Sequence, residues 1–244
     1  MIPKTIFYVW FGEKKIPEKY VKYIDEWRKL NPDFQIIQIN EKNFDIKKYK
    51  FIDTAIKNKK WAFASDMARL ITIYDNGGFY LDTDVRLLKH IPSFKGIKSV
   101  WALENSDAIN TGSFFGAEKG NQDLGNIIDI YKKMVYEPGN DNKYITVHII
   151  SNYFHKKGFK FKNRKQILNS KALILPVEYF SPLHWWGGGK VSRKTIGVHM
   201  YGASWQPSLK VTTKERVKLN LILKVPFITL GLIKLKQTLF DKGN

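Results

Sequence analysis

The sequence has no cysteine. No disulfide can staple it and no thiolate can hold a metal, which fits a reducing compartment. Acidic residues are few beside basic ones, 22 Asp plus Glu against 41 Lys plus Arg, a formal charge of +19. An excess of that size points to nucleic acid, an anionic membrane surface or a phosphorylated substrate. Nucleic acid is excluded on motif grounds: there is no zinc-ligand spacing, no aromatic RNA-binding signature and no helix-turn-helix pattern. There is no apolar run of roughly eighteen residues to span a bilayer. The first residues, Met1 to Ile6, lack the basic stretch and long apolar run of a secretory signal. No internal repeat and no low-complexity linker interrupts the chain.

What is present is ordinary for a globular domain. With 244 residues, 43% hydrophobic and 26% charged, the chain can bury a sizeable core. Aromatics are abundant at 14%, including 7 Trp and 12 Tyr, which suits stacking on sugars or bases as well as packing. The periodicities predict strands over 2–10, 34–39, 79–85, 99–104, 172–175 and 195–201, with a glycine-punctuated stretch over 110–120 around an apolar 113–117. They predict helices over 17–30, 51–59, 62–75, 121–136 and 144–157. Within the first helix Val21, Ile24 and Trp27 form the expected inner stripe. Strands alternating with helices imply an α/β domain with a mostly parallel sheet, whose ligands bind beyond the carboxyl ends of strands. Trp10 and the acids at 82 and 84 fall at such ends.

Residues 65–84 carry most of the functional signal. Met67, Leu70, Ile71 and Tyr74 mark one face of a helix, with Ser65 as a cap or first-turn residue and Gly77-Gly78 as its end. Asp66 and Arg69, three apart, share a neighbouring stripe and can touch. A strand then delivers Asp82 and Asp84, which at i and i+2 of an extended chain point the same way. Two adjacent carboxylates repel unless a cation lies between them, and an oxygen pair of this kind suits a hard ion such as Mg²⁺ or Mn²⁺. Such an ion would clamp a diphosphate. Taken singly, Asp66–Arg69 reads as a local salt bridge, Asp82 and Asp84 as a solvated strand end, His199 as a packed histidine and Trp205 as core. Their combination is what argues for a site. His184-Trp185-Trp186 and the glycines at 187–189 suit either a loop over an acceptor or a packed turn.

The chain changes character over 208–244. Eight Lys/Arg stand against Glu215 and Asp241, interleaved with Leu, Ile, Val and Phe and interrupted at Pro226. A catalytic domain over 1–207 and a basic, amphipathic helical tail over 208–244 are expected. The tail would lie on an anionic membrane or pack on the core.

The ordered blocks from Ile2 to Gly12, Ala64 to Arg69, Gly77 to Asp84, Ile109 to Gly112, and His199 with Ser204-Trp205 resemble glycosyltransferase family 32, the DXD-motif sugar transferases. They are similar, more distantly, to the catalytic domain of the clostridial glucosylating toxins. The resemblance spans about residues 1–205. It implies a GT-A fold, a UDP- or GDP-sugar donor, Mn²⁺ or Mg²⁺, and transfer with retention to a glycan or lipid-linked saccharide. It implies that Val9 and Trp10 contact the nucleobase, that Asp66 and Arg69 hold donor-sugar hydroxyls, and that Tyr80 and Asn110 lie at the donor. It also implies that Asp82 and Asp84, with His199 and Ser204, form the metal region, while Trp205 donates to the β-phosphate. A role in bacterial capsule or other polysaccharide synthesis at the inner membrane face follows from the same resemblance. Two other readings stay open: a phosphohydrolase of the haloacid dehalogenase type using Asp82 and Asp84, and a basic non-enzymatic module. The first expects Thr or Val where this chain has Arg86; the second gives no reason for the four charged residues to cluster.

Overall fold

The computed structural model describes residues 1–12, 14–104, 107–184 and 188–202. Ser204, Trp205, most of the 184–187 loop and the 208–244 tail lie outside the described residues.

The apolar start forms β1 (Thr5–Val9), and α1 (Glu18–Leu30) carries the chain back to β2 (Gln35–Ile39), parallel to β1. A 3-10 turn (Ile46–Lys48) leads into α2 (Lys50–Lys57) and α3 (Trp61–Asn76). β3 (Gly78–Tyr80) then returns parallel to β1 on its other edge. β4 (Val85–Leu87), β5 (Ser99–Ala102), β6 (Phe115–Ala117), α4 (Gln122–Lys132), α5 (Thr146–His155), β7 (Gln166–Ile167), β8 (Ala172–Leu175) and β9 (Gly197–His199) follow.

Seven strands make one sheet in the order β2-β1-β3-β6-β5-β8-β7, while β4 and β9 pair separately. Five of the seven run one way; β6 and β7 oppose them. The sheet is covered on both faces, so its strands read as continuous apolar runs. Alternation assigns the faces. Phe7, Val9, Trp101 and Ile174 enter a core with α2, α3, α4 and α5. Ile6, Tyr8, Val100 and Leu173 enter a second core with Ile24 and Trp27 of α1 and with Val85 and Leu87 of β4. The indole of Trp27 donates to the Val85 carbonyl at 2.8 Å, tying α1 to the smaller sheet.

The expected mostly parallel α/β sheet is present, but four local expectations fail. The strand over 79–85 ends at Tyr80. A turn closed by Val85 N–H to Asp82 C=O at 3.0 Å redirects the chain into β4, so Asp82 and Asp84 sit on a turn rather than on one extended strand. Ser65 is neither a cap nor in the first turn: α2 closes with the Lys60 N–H on the Ala55 carbonyl and Lys59 at φ +57°, and α3 follows at once from Trp61, which puts Ser65 in its second turn. Val21 is 39% exposed, and the inner stripe of α1 is carried by Ile24 and Trp27. Helix α4 stops at Lys132 rather than 136, because Tyr136 is drawn away: its N–H donates to the Thr54 hydroxyl and its ring stacks on Phe63. The end of α3 is as expected, with Gly77 at φ +70°.

Candidate active site at the ends of β1, β3 and β5

Strand order reverses at β1: the chain leaves to β2 on one side and returns as β3 on the other. Crossover helices then lie on opposite faces and open a crevice beyond the carboxyl ends of the two strands, the usual ligand position in such sheets. Trp10 follows β1 there and Asp82 follows β3. Trp10 is half-buried, and its indole donates to the Lys14 carbonyl at 2.7 Å. The Val9 side chain is part of the core.

Helix α3 passes beneath the crevice and presents Asp66 and Arg69 one turn apart. The Arg69 guanidinium is ion-paired with Asp66, and its Nη1 lies 3.3 Å from Asp82 Oδ1. It also sits 5.1 Å over the Tyr80 ring. The Tyr80 hydroxyl donates to Asp82 Oδ1 at 2.8 Å. Burial first, then the Asp82 charge, holds that phenol well above its usual pKa, so it remains a donor. The side chains of Asp66 and Arg69 are 14% and 7% exposed, whereas that of Asp82 is 34% exposed and meets solvent. Arg69 Nε is buried and, among the described residues, unpaired.

Gly112 is the hub of this cluster. The Asp82 N–H donates to its carbonyl at 2.9 Å, and its own N–H donates to Asn110 Oδ1 at 2.8 Å. A Cβ on Gly112 would collide with Asp82 Oδ2 and lie 3.1 Å from both Arg69 Nη1 and Asn110 Oδ1. Only glycine permits that convergence.

Asp84 faces the smaller sheet. Its Oδ1 is 3.3 Å from His199 Nε2 at the end of β9, and its Oδ2 accepts the Gly202 N–H at 2.7 Å. Burial alone would raise the Asp84 pKa, but His199 and the Gly202 N–H outweigh it and hold the carboxyl below its usual value. Burial alone would likewise lower the His199 pKa; the charges of Asp84, Asp82 and Glu104 win and raise it. The spot therefore stabilises positive charge.

One ligand atom each from Asp82, Asp84 and His199 lies within 4.8 Å of the others. A dication with bonds of about 2.1 Å bridges ligands about 4 Å apart, so small rotamer changes bring this set to bonding distance. The two carboxylates suit a hard dication such as Mn²⁺ or Mg²⁺, with the imidazole as a softer third donor. Nδ1 of His199 is buried without a partner among the described residues. The residues present fit the ion.

The structure thus brings together Asp66, Arg69, Tyr80, Asp82, Asp84, Asn110 and His199, with Trp10 on the same edge. Sequence reading passed over Tyr20, Gly202 and Glu104 and gave Gly112 no role. Tyr20, on α1, lies where a Cβ on Gly202 would strike its hydroxyl. No periodicity announces such a long-range contact. Glu104 did carry a signal: it follows an apolar strand in the same way that Asp82 does.

Residues 17–106 match the family described as "Glycosyltransferase sugar-binding region containing DXD motif". That stretch contains the blocks at 64–69 and 77–84, with Asp66, Arg69, Asp82 and Asp84. An initiation-specific alpha-1,6-mannosyltransferase of Candida albicans (strain SC5314 / ATCC MYA-2876) is 28% identical over 99 residues, 36% of this chain and 26% of that protein. The alignment thus spans about a quarter of that relative. Among solved structures, the PaToxG glycosyltransferase superposes with a TM-score of 0.53 at 22% identity, covering 64% of this chain and 69% of its own. That likeness supports the GT-A type of fold. A glycosyltransferase involved in the glycosylation of the major capsid of PBCV-1 covers 90% of this chain and 98% of its own, at 12% identity and a TM-score of 0.44.

Proposed function

We propose that the chain is a metal-dependent glycosyltransferase. It moves a sugar from a nucleotide-diphosphate donor, UDP- or GDP-linked, to a glycan or lipid-linked saccharide, with retention of configuration. The observation that carries this reading is the convergence of Asp66, Arg69, Asp82, Asp84 and His199 at the strand-order reversal. The DXD-region match over 17–106, which contains four of the five, supports it.

Asp82, Asp84 and His199 would hold Mn²⁺ or Mg²⁺, which when bound supplies charge neutralisation for a departing diphosphate. The chain's own residues do the rest. Arg69, fixed by Asp66 and Asp82 and unable to lose its proton, presents N–H donors to hydroxyls of the donor sugar. Tyr80 holds the Asp82 carboxylate in place. Trp10 offers a ring for a nucleobase. The bond from the anomeric carbon to the diphosphate oxygen breaks and its electron pair stays with the diphosphate. The acceptor hydroxyl bonds to that carbon and passes its proton to the departing diphosphate oxygen. The transition state is oxocarbenium-like. Attack on the face that the diphosphate leaves accounts for retention without a covalent intermediate. Ser204 would complete or flank the metal site, and Trp205 would donate its indole N–H to the β-phosphate.

A role in polysaccharide assembly at the inner membrane face rests on the charge and apolar content of residues 208–244. No helix among the described residues is long and apolar enough to cross a membrane.

The test is release of nucleoside diphosphate from a panel of nucleotide sugars, mannose-linked donors included, with Mn²⁺ and with chelator. Slow, chelator-sensitive release is expected, and Asp84→Asn should lower it by at least about 100-fold. Inorganic phosphate as the sole product would favour the phosphohydrolase instead. Full activity of Asp84→Asn at ordinary Mn²⁺ would refute the assignment.

A further inference from the structure

Glu104 follows β5, which runs in the same direction as β3, so its carboxylate stands at the same edge of the sheet as Asp82. A short loop brings it against Asn110: the Glu104 N–H donates to the Ala108 carbonyl at 2.8 Å and the Asn110 N–H to the Ala102 carbonyl at 3.0 Å. Asn110 Nδ2 then donates to Glu104 Oε2 at 2.9 Å. On its other side, Asn110 Oδ1 accepts from Gly112 N–H at 2.8 Å and from Ser113 N–H at 3.4 Å.

An amide turned by half a rotation would set its NH₂ against those two donors and its oxygen against a carboxylate. Both contacts would be repulsive, so the two sides select one orientation. With both lone pairs of Oδ1 committed, the amide can act toward a ligand only as a donor. We infer that Glu104 is a positioning residue for sugar transfer: it locks the Asn110 amide, which holds Gly112, whose carbonyl holds the Asp82 backbone. This rests on the sugar-transfer reading for its kinetic consequence, but not for the contact itself.

The experiment compares wild type with Glu104→Ala, Glu104→Gln, Asn110→Asp and the double variant N110D/E104Q. Each is scored for nucleoside diphosphate release with Mn²⁺, for thermal midpoint and by crystal structure. E104A should lose at least about tenfold in kcat with donor KM changed less than about threefold. E104Q should stay within about threefold of wild type, since the Gln carbonyl accepts the same N–H. N110D should be as impaired as E104A, because it opposes two carboxylates. Adding E104Q to N110D should recover at least about threefold, because the Gln amide then donates to the new carboxylate. Should E104A misfold, the E104Q and N110D series decides. E104A within about twofold of wild type, or E104Q as impaired as E104A, would overturn the inference. A wild type inert toward every donor would overturn the sugar-transfer reading instead. The contact then stands if the E104A structure shows the Asn110 amide released from Gly112, and falls if it is unmoved.

Discussion

Arg69 is held by two carboxylates and lies over a phenol ring, so its position is fixed before any substrate arrives. Such fixed donors can be worth several kcal/mol where charge develops in a reaction. Arg69→Ala should cut turnover by at least about 100-fold while leaving nucleoside diphosphate affinity within about threefold, read by steady-state kinetics and calorimetry. A loss of diphosphate affinity instead would move Arg69 from the sugar to the phosphates. Gly112 tests the same cluster from the backbone. Gly112→Ala drives a methyl into Asp82 Oδ2, so activity should fall at least about tenfold with the thermal midpoint lowered by only a few degrees. Unchanged activity would show that the clash is absorbed elsewhere.

At the scale of elements, α4 and α5 are joined by a buried charge. Asn121 caps α4 with its side chain, and Asp123 in the first turn accepts from Lys157 at 2.7 Å and from Tyr153 at 2.8 Å. Burial alone would raise the Asp123 pKa. Hydrogen bonds from Lys157 and Tyr153 outweigh that and leave it lowered. A depressed folded pKa means stability that is present above the unfolded value of about 3.9 and lost as pH falls below it. Asp123→Asn should therefore cost about 1–3 kcal/mol near pH 7 and blunt the loss of stability that wild type shows below about pH 4, measured by denaturant unfolding across pH. Parallel unfolding curves for the two proteins at every pH would contradict this. Elements of this kind were legible in outline because their apolar spacing is local: α1, α3 and β8 could be drawn from the sequence within a few residues. The turn at Asp82–Val85 was not, because its cause is a hydrogen bond from Asp82 to Gly112, thirty residues away, and a period-two pattern carries no record of that. The early end of α4 has the same origin in the distant contacts of Tyr136 with Thr54 and Phe63.

At the scale of the molecule, two sheets meet at the site. The large sheet brings Trp10, Asp82 and Glu104 to one edge, and the β4–β9 pair brings His199 against Asp84. The residue types of the site were readable as an ordered set of blocks. Their assembly depends on β9 pairing with β4 across more than a hundred residues, with Val85 opposite His199. Charge at this junction favours a cation, since the carboxylates of Asp82 and Asp84 converge there beside His199. The central claim is that this place takes a divalent ion together with a nucleotide. Crystals soaked with Mn²⁺ and a nucleoside diphosphate, measured at a wavelength sensitive to manganese, test it most directly. The account predicts an anomalous peak bonded to Asp82 or Asp84 and to the diphosphate. Bound nucleotide with no peak beside either carboxylate would contradict it.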